Sequence, residues 1–406
     1  MNGLNHREEM ESLILAVSLV TLGVALGEYV FYNLVVAFAG LLRVPKRSFD
    51  FTPPVTVVIP AYDEEQHLRR KLENVLALEY PRELMEIIVV DDGSTDRTSE
   101  VAREFEDKGV KLIRSEERRG KIFVQKMAFS EANTEIVCIT DATVLTQADA
   151  LRKLAAHMAD PQVGAVSACI RVRNRDANYL TRVAQFLFDI QNAQKLGESM
   201  LDSAAGLFGQ FSLVRREAVG DFSTDVIYED REFGIALRKR GFRARLEPGA
   251  AAGYHAPETL ADFSRQKQRN IGAMTQSLVR HRNLLFNPRY GWYGLLIFPE
   301  YSLFRMLRIY LLAVSFVAAL MYIALVGPAS GAALLCSMTV AVFVAYIVGT
   351  ALLAPLVAEP ARFLLDIFAA IPAMALVAFH LGTAVIRYFR GDFTALWERV
   401  KRQRTV

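Results

Sequence analysis

Apolar residues in this chain form long, nearly unbroken runs at both ends and short bursts in between. Leu13 to Leu42 has Glu28 as its only charged residue, and about 20 apolar residues suffice to cross a bilayer. Leu307–Val326, Ala332–Leu353 and Phe363–Ile386 are also long enough to span, with Asp366 near the start of the last, within reach of headgroups. Asn283–Phe304 mixes Trp292, tyrosines, prolines and charges, the pattern of an interfacial segment. The bursts between these ends are shorter. Val55–Pro60, Glu86–Val90, Val110–Ile113, Glu135–Ile139 and Pro161–Ala168 are rich in β-favouring apolar residues without alternation, which predicts strands covered on both faces. Helices are expected between them, one ending at about Leu78 before the Glu79-Tyr80-Pro81 break, others over Lys121–Ala132 and 147–158. Strand, helix and strand within about forty residues make a βαβ unit, so a parallel sheet follows. Asn178–Leu201, Glu232–Arg240 and Leu260–Val279 read as further helices, the second stopped by Gly241.

The pattern divides the chain into an anchor over 1–48, an α/β domain over 49–285 with an amphipathic helix near 260–280, and a membrane region over 286–406 ending in a basic tail. Ala37-Phe38-Ala39 resembles a signal-cleavage site, but the apolar run is too long and is preceded by Glu8, Glu9 and Glu11, so an anchor is expected. Arg43, Lys46 and Arg47 after the anchor, against an acidic amino terminus, predict a cytoplasmic α/β domain in a multi-pass protein of the inner membrane. Three later crossings would carry the carboxyl terminus outside, whereas Arg387, Arg390, Arg399, Lys401, Arg402 and Arg404 argue for inside; counting alone does not reconcile them. The net charge of +3 and scattered basic residues give no nucleic-acid footprint. Cys138, Cys169 and Cys336 are odd in number and set in apolar runs, so they read as reduced packing residues.

Chemistry enters at the strand ends. Ala61-Tyr62-Asp63-Glu64, Asp91-Asp92-Gly93-Ser94 and Thr140-Asp141-Ala142-Thr143 each follow a predicted strand. In open α/β sheets ligands sit outside the carboxyl ends of the strands. Carboxylates converging there repel one another unless a cation or a donor-rich ligand lies among them. A divalent metal with a nucleotide diphosphate meets that need, because Mg²⁺ prefers a carboxylate or two plus phosphate oxygens. Turns with helix caps explain each cluster singly; three in succession favour a site.

Val58-Ile59-Pro60-Ala61-Tyr62-Asp63-Glu64-Glu65, Val90-Asp91-Asp92-Gly93-Ser94 and Gly120-Lys121 resemble family 2 glycosyltransferases of the GT-A fold, nearest the membrane-bound branch of hyaluronan, poly-N-acetylglucosamine and cellulose synthases. The resemblance runs from about Val55 to Leu285. It implies a Rossmann-like, mostly parallel sheet flanked by transmembrane helices. It also implies a nucleotide-sugar donor of the UDP class, held by Asp91 or Asp92 with Ala61, Tyr62, Asp63 and Glu64 alongside, and Lys121 approaching the diphosphate. Gly209, Gln210 and Phe211, within a glycine-rich stretch ending in Arg215-Arg216-Glu217, would form the acceptor side. Asp230, paired with Glu229, matches the family's general base. Gln266 and Arg269 match a Gln-x-x-Arg-Trp pattern, Arg269 being able to grip a departing diphosphate with two donors. There are two departures. The usual Asp-x-Asp metal motif for Mg²⁺ or Mn²⁺ is here Asp141-Ala142-Thr143, and Asn270 stands where relatives carry an acceptor-cradling Trp.

The expected function is inverting transfer of a sugar from a nucleotide sugar to a glycan or lipid-linked acceptor, in polysaccharide or glycoconjugate synthesis. Two alternatives stay open: a glycolipid synthase adding one sugar, and a degenerate scaffold subunit that supports a partner.

Overall fold

The computed structural model describes residues 2–42, 47–222 and 224–372. Its centre is one eight-stranded sheet in the order β3-β2-β1-β4-β7-β6-β8-β5. The strands are β1 (Val55–Ala61), β2 (Met85–Asp91), β3 (Val110–Arg114), β4 (Ile136–Thr140), β5 (Leu145–Thr146), β6 (Val163–Val172), β7 (Phe211–Arg215) and β8 (Arg243–Tyr254). The first four pair in parallel, as the βαβ repeat requires. β7 runs antiparallel to both β4 and β6, and β8 is parallel to β6. Four of the seven pairings are parallel, so the sheet is mostly parallel, as expected.

The strand order reverses direction between β1 and β4, the switch point where ligands bind. Local chemistry opens that crevice. β1 pairs with β2 as far as Ala61↔Asp91 but with β4 only as far as Val58↔Ile139. Pro60 therefore lies beyond the β4 ladder, where its missing N–H removes no rung. Cys138 and Cys169 are buried in the core, while Cys336 is exposed.

β7, β8 and the two-residue β5 are the strands not anticipated. The glycine-rich stretch ending in Arg215-Arg216-Glu217 gave no strand expectation, yet Phe211–Arg215 bridges β4 and β6. In β8, Pro248 and Gly249 interrupt the run, and the structure absorbs them as a register shift opposite Ala168 and Cys169.

Among the described residues three helices are long and apolar enough to cross a membrane: His6–Leu42, Tyr293–Val326 and Gly331–Leu356. The segment read as interfacial continues without a break into the helix Arg305–Val326, entering it through two π-helical turns, Tyr293–Ile297 and Glu300–Phe304. Polar contacts join these helices. Ser18 Oγ donates to the Ser315 carbonyl at 2.9 Å and Ser315 Oγ returns the bond at 2.6 Å; Arg308 binds both Glu28 and Glu300.

A further helix occupies 360–372. Phe363, Ile367 and Ala370 are buried on one face, with Phe363 stacked 5.3 Å from Phe186, whereas Leu364, Leu365 and Phe368 are exposed. Burying Phe363 and Ile367 is worth about 1.5–3 kcal/mol each, against about 0–1 kcal/mol for the surface pair Arg362–Asp176. Apolar packing thus docks the helix. Asp366 pairs with Arg175 at 2.6 Å instead of facing headgroups. The rest of the predicted Phe363–Ile386 span and the basic tail lie outside the described residues.

Candidate active site

The loops after β1 and β2 are stitched together along one lip of the crevice. Asp63, at φ +50°, accepts from Thr95 N at 2.9 Å, while its own N–H donates to Ser94 Oγ at 3.0 Å. Glu64 N donates to Thr98 Oγ1 at 2.8 Å. Tyr62 lies beneath the Arg118 guanidinium, 4.3 Å from ring centroid to Cζ.

Asp91 and Asp92, indistinguishable in the sequence, have separate tasks. Asp91 is 0% exposed and closes its own turn, accepting from Ser94 N at 2.8 Å and from the Ser99 hydroxyl. Asp92, 4% exposed, receives Arg119 N at 2.7 Å and Gly120 N at 2.9 Å, and its own N–H donates to the Ala61 carbonyl at 2.8 Å. Gly93, at φ +70°, lets that loop approach, since a Cβ there would meet the Glu117 carbonyl carbon at 2.8 Å. Together, Asp-Asp-Gly-Ser fixes where the next helix begins.

That helix, Lys121–Glu131, starts with the central cation of the site. Lys121 Nζ lies 2.8 Å from Asp141 Oδ1 and 2.6 Å from Glu229 Oε1. Burial would lower its pKa, but the two carboxylates outweigh burial and hold it well above the usual lysine range. Asp141 follows β4 on a turn pinned by Lys71, which is wholly buried and donates to Thr140 Oγ1 and the Val144 carbonyl, both at 2.7 Å. Burial brings the Lys71 ammonium down to about 8. Thr143 lies on the same turn.

Asp230 enters from the other side, one residue into the helix Glu229–Lys239. Its Oδ2 accepts from Gly209 N at 3.3 Å and its Oδ1 from Arg231 N at 2.8 Å. Burial, then repulsion from Glu229, raise its pKa above the ordinary aspartate value, against the pull of Lys121 and Lys195. Two glycines permit this approach: a Cβ on Gly234 would come within 2.7 Å of Gly206 Cα. Gly209 lies so near that a Cβ there would sit 3.6 Å from Lys121 Nζ. Gln210 is half-buried beside it, whereas Phe211 is fully buried and packs in the core under the sheet.

The amphipathic helix Leu260–Arg280 supplies the last part. Gln266 Nε2 donates to Tyr254 OH at 2.6 Å. Arg269 Nε donates to Tyr228 OH at 3.1 Å, and Tyr228 OH donates onward to Asn270 Oδ1 at 2.8 Å. Tyr228 is a site residue that the sequence reading passed over; its only signal was an aromatic preceding the Glu229-Asp230 pair.

Lys121, Asp141, Glu229, Asp230 and Gly209 therefore converge, with Asp63 on one lip and Arg269 on another helix. Among the described residues no group of three or more His, Cys, Asp or Glu side chains is placed to hold a metal by itself. The geometry does set an ammonium between Asp141 and Glu229. That donor set fits a divalent ion whose remaining ligands are phosphate oxygens and water.

Residues 56–222 match the family model described as Glycosyl transferase family 2, and the chain carries that domain. Poly-beta-1,6-N-acetyl-D-glucosamine synthases of Staphylococcus aureus strains are 28% identical over 235 residues, 56% of this chain and 56% of theirs. An N-acetylglucosaminyltransferase of Azorhizobium caulinodans is 28% identical over 238 residues, 55% of this chain and 60% of its own. The matches thus span little more than half the length of these curated relatives. In architecture the chain resembles a mannosyltransferase from Pyrobaculum calidifontis, solved with GDP-Man and Mn²⁺, with a TM-score of 0.72 over 93% of this chain and 99% of that one. At 22% identity this likeness shows the fold alone.

Proposed function

We propose that this chain, in which residues 56–222 form a Glycosyl transferase family 2 domain, is an inverting glycosyltransferase of the inner membrane. It takes a nucleotide sugar of the UDP class from the cytoplasmic side and transfers the sugar to a glycan or lipid-linked acceptor. The observation that carries this reading is the meeting of Lys121, Asp141, Glu229, Asp230 and Gly209 at the ends of the strands. The donor lies along the Asp63–Asp92 lip, with Lys121 and Arg269 toward its diphosphate. Asp230 takes the proton of the attacking hydroxyl, and in-line displacement inverts the anomeric carbon. Asp141, with Thr143 at its side, would hold Mg²⁺ or Mn²⁺, whose positive charge would stabilise the leaving diphosphate. Incubating the purified full chain with a panel of radiolabelled nucleotide sugars tests the whole reading; transfer from none of them refutes it.

Two expectations follow for single residues. Asp141→Ala should abolish metal-dependent binding of the nucleotide, while Thr143→Ala weakens it less, because a neutral hydroxyl gives little to a hard cation. Calorimetry of UDP with and without Mg²⁺ or Mn²⁺ checks both, and binding indifferent to metal would defeat the assignment. Asn270 offers far less face to a sugar ring than an indole does. The product should therefore be short or a single sugar, and Asn270→Trp should change acceptor affinity more than donor affinity. Size-exclusion analysis decides the first point: a high-molecular-weight glycan from this chain alone would contradict it.

A further inference from the structure

Beside Asp230 the structure holds positive charge to which the proposed reaction assigns no contact with a substrate. Lys195 lies on the helix Tyr179–Leu201, 3% exposed, and donates to the Gly206 carbonyl at 2.5 Å. Its ammonium is 4.9 Å from the Phe208 ring centroid. Arg231, adjoining Asp230 in the chain, is 8% exposed, with its Cζ 3.9 Å from the centroid of Tyr301. Lys195 Nζ and Arg305 Cζ stand 5.4 and 5.1 Å from that same ring.

The ion pairing around this ring is uneven. Arg305 lies 3.8 Å from Glu300, and Arg308 is matched by Glu300 and Glu28. Neither Lys195 nor Arg231 has a carboxylate within 4 Å among the described residues, and Arg231 Nη1 has no hydrogen-bond partner at all. A buried guanidinium nitrogen without an acceptor is costly, and stacking on Tyr301 leaves the in-plane Nη1 bond unmade, so its place beside the acceptor loop points to an anion that arrives with a ligand. The position indicates which one. Lys195 is carried by the helix that packs on the anchor, and Tyr301 belongs to the π-helical entry of a membrane-crossing helix. The cluster thus adjoins the acceptor loop at Gly206, where a Cβ would lie 3.5 Å from Arg231 Cα and 3.8 Å from the Tyr301 hydroxyl, and is carried by elements that join the apolar helices.

We propose that Lys195, Arg231 and Tyr301 form a phosphate subsite for the acceptor, so that the acceptor is a lipid-linked sugar bearing a phosphodiester. This rests on the glycosyltransferase reading above and narrows its acceptor class. In the transfer, the acceptor hydroxyl oxygen bonds to the anomeric carbon and its proton passes to Asp230. The bond from that carbon to the donor phosphate oxygen breaks, and the electron pair leaves with the nucleoside diphosphate. The acceptor phosphate is unchanged; Lys195 and Arg231 position it.

The test uses the full chain in lipid nanodiscs with whichever donor sugar proves active. Two acceptors carry the same monosaccharide, one joined through a phosphodiester to a polyprenyl chain, the other a neutral alkyl glycoside. The phosphodiester acceptor should have a KM about tenfold or more below the neutral one, the scale of one charge-assisted contact. Arg231→Gln, whose side chain makes no hydrogen bond to Asp230 or to the Gly206–Gln210 loop, should raise that KM by about tenfold and leave kcat and the neutral acceptor within about twofold. Arg231→Lys should restore part of the loss. Equal use of the two acceptors, or equal damage to both by the variants, overturns the proposal. Inorganic phosphate should compete with the phosphodiester acceptor; if it competes with the nucleotide instead, the subsite serves the departing diphosphate and the proposal is again overturned. Nucleotide calorimetry on the same preparation separates the two levels. Absence of nucleotide binding would overturn the enzymatic reading and the subsite with it, whereas binding and transfer without phosphate preference would overturn the subsite alone.

Discussion

Asp230→Asn should lower sugar transfer by about 10²–10⁴-fold, the contribution of a positioned general base, while nucleotide affinity stays nearly constant. Asn keeps the shape of the side chain and can still accept the Gly209 N–H bond, so the loop Gly206–Gln210 should hold its place. What disappears is the proton acceptor. Turnover of the Asn variant near that of the native protein would remove Asp230 from the mechanism.

The raised pKa of Asp230 adds a second, independent readout. Only the ionised carboxylate can take a proton, so transfer should fall as pH drops through a value above the ordinary aspartate range. Stability should move the other way. Between the ordinary and the raised value the folded protein keeps a proton that the unfolded chain has released, so unfolding free energy declines as pH rises through that window. Opposite slopes for activity and stability in one pH interval would mark a residue whose charge costs the fold and serves the reaction. A rate–pH profile unchanged in its acid limb by Asp230→Asn would contradict this.

The parallel half of the fold was legible because β1, β2 and β4 are buried along their length and leave nearly unbroken apolar runs, while the half-exposed edge strand β3 continues their alternation with helices. β7 and β8 were not. Phe211–Arg215 is short and runs into two arginines, and it becomes a strand through its partners β4 and β6. Arg243–Tyr254 contains Glu247, buried only because Arg47 and His157 both reach it, at 2.9 and 2.6 Å. Such partners lie about 90 to 200 residues away, and no local period announces them. The site divides in the same way. Asp141, Lys121 and Asp230 sit in short motifs at strand or helix ends and could be read directly. Asp91 and Asp92 could be read as a pair, but only the geometry gives the first to its own turn and the second to the loop before Lys121. Tyr228, Lys71, Lys195 and Arg231 carry no motif; each matters through a partner distant in sequence or through its burial.

Gly197→Val should separate the anchor from the catalytic domain and cost about 3 kcal/mol or more, beyond the usual range for overpacking because backbone is involved. The helix Tyr179–Leu201 crosses the anchor at this glycine, where a Cβ would lie 2.1 Å from the Val36 carbonyl oxygen and 2.6 Å from its carbon. Helix backbone cannot yield as a flexible side chain does. Gly40, on the facing stretch of the anchor, would place its Cβ 3.4 Å from Gly197 Cα, so small residues line both sides of the crossing, as close helix packing requires. The contacts that flank it depend on this spacing: Gln194 Nε2 to Asn33 Oδ1 at 2.9 Å and Tyr32 OH to Glu198 Oε1 at 2.5 Å. Gly27, on the same anchor, is the control. A Cβ there meets nothing within 4 Å, so Gly27→Ala should be neutral or slightly stabilising through helix propensity. Thermal unfolding of the detergent-purified proteins compares the two, and equal midpoints would show that the anchor and the catalytic domain do not depend on this crossing. Because Lys195 and Glu198 flank Gly197 and hold Gly206 and Ala205, the same change should also loosen the Gly206–Gln210 loop, which couples the helix Asn2–Leu42 to the candidate active site.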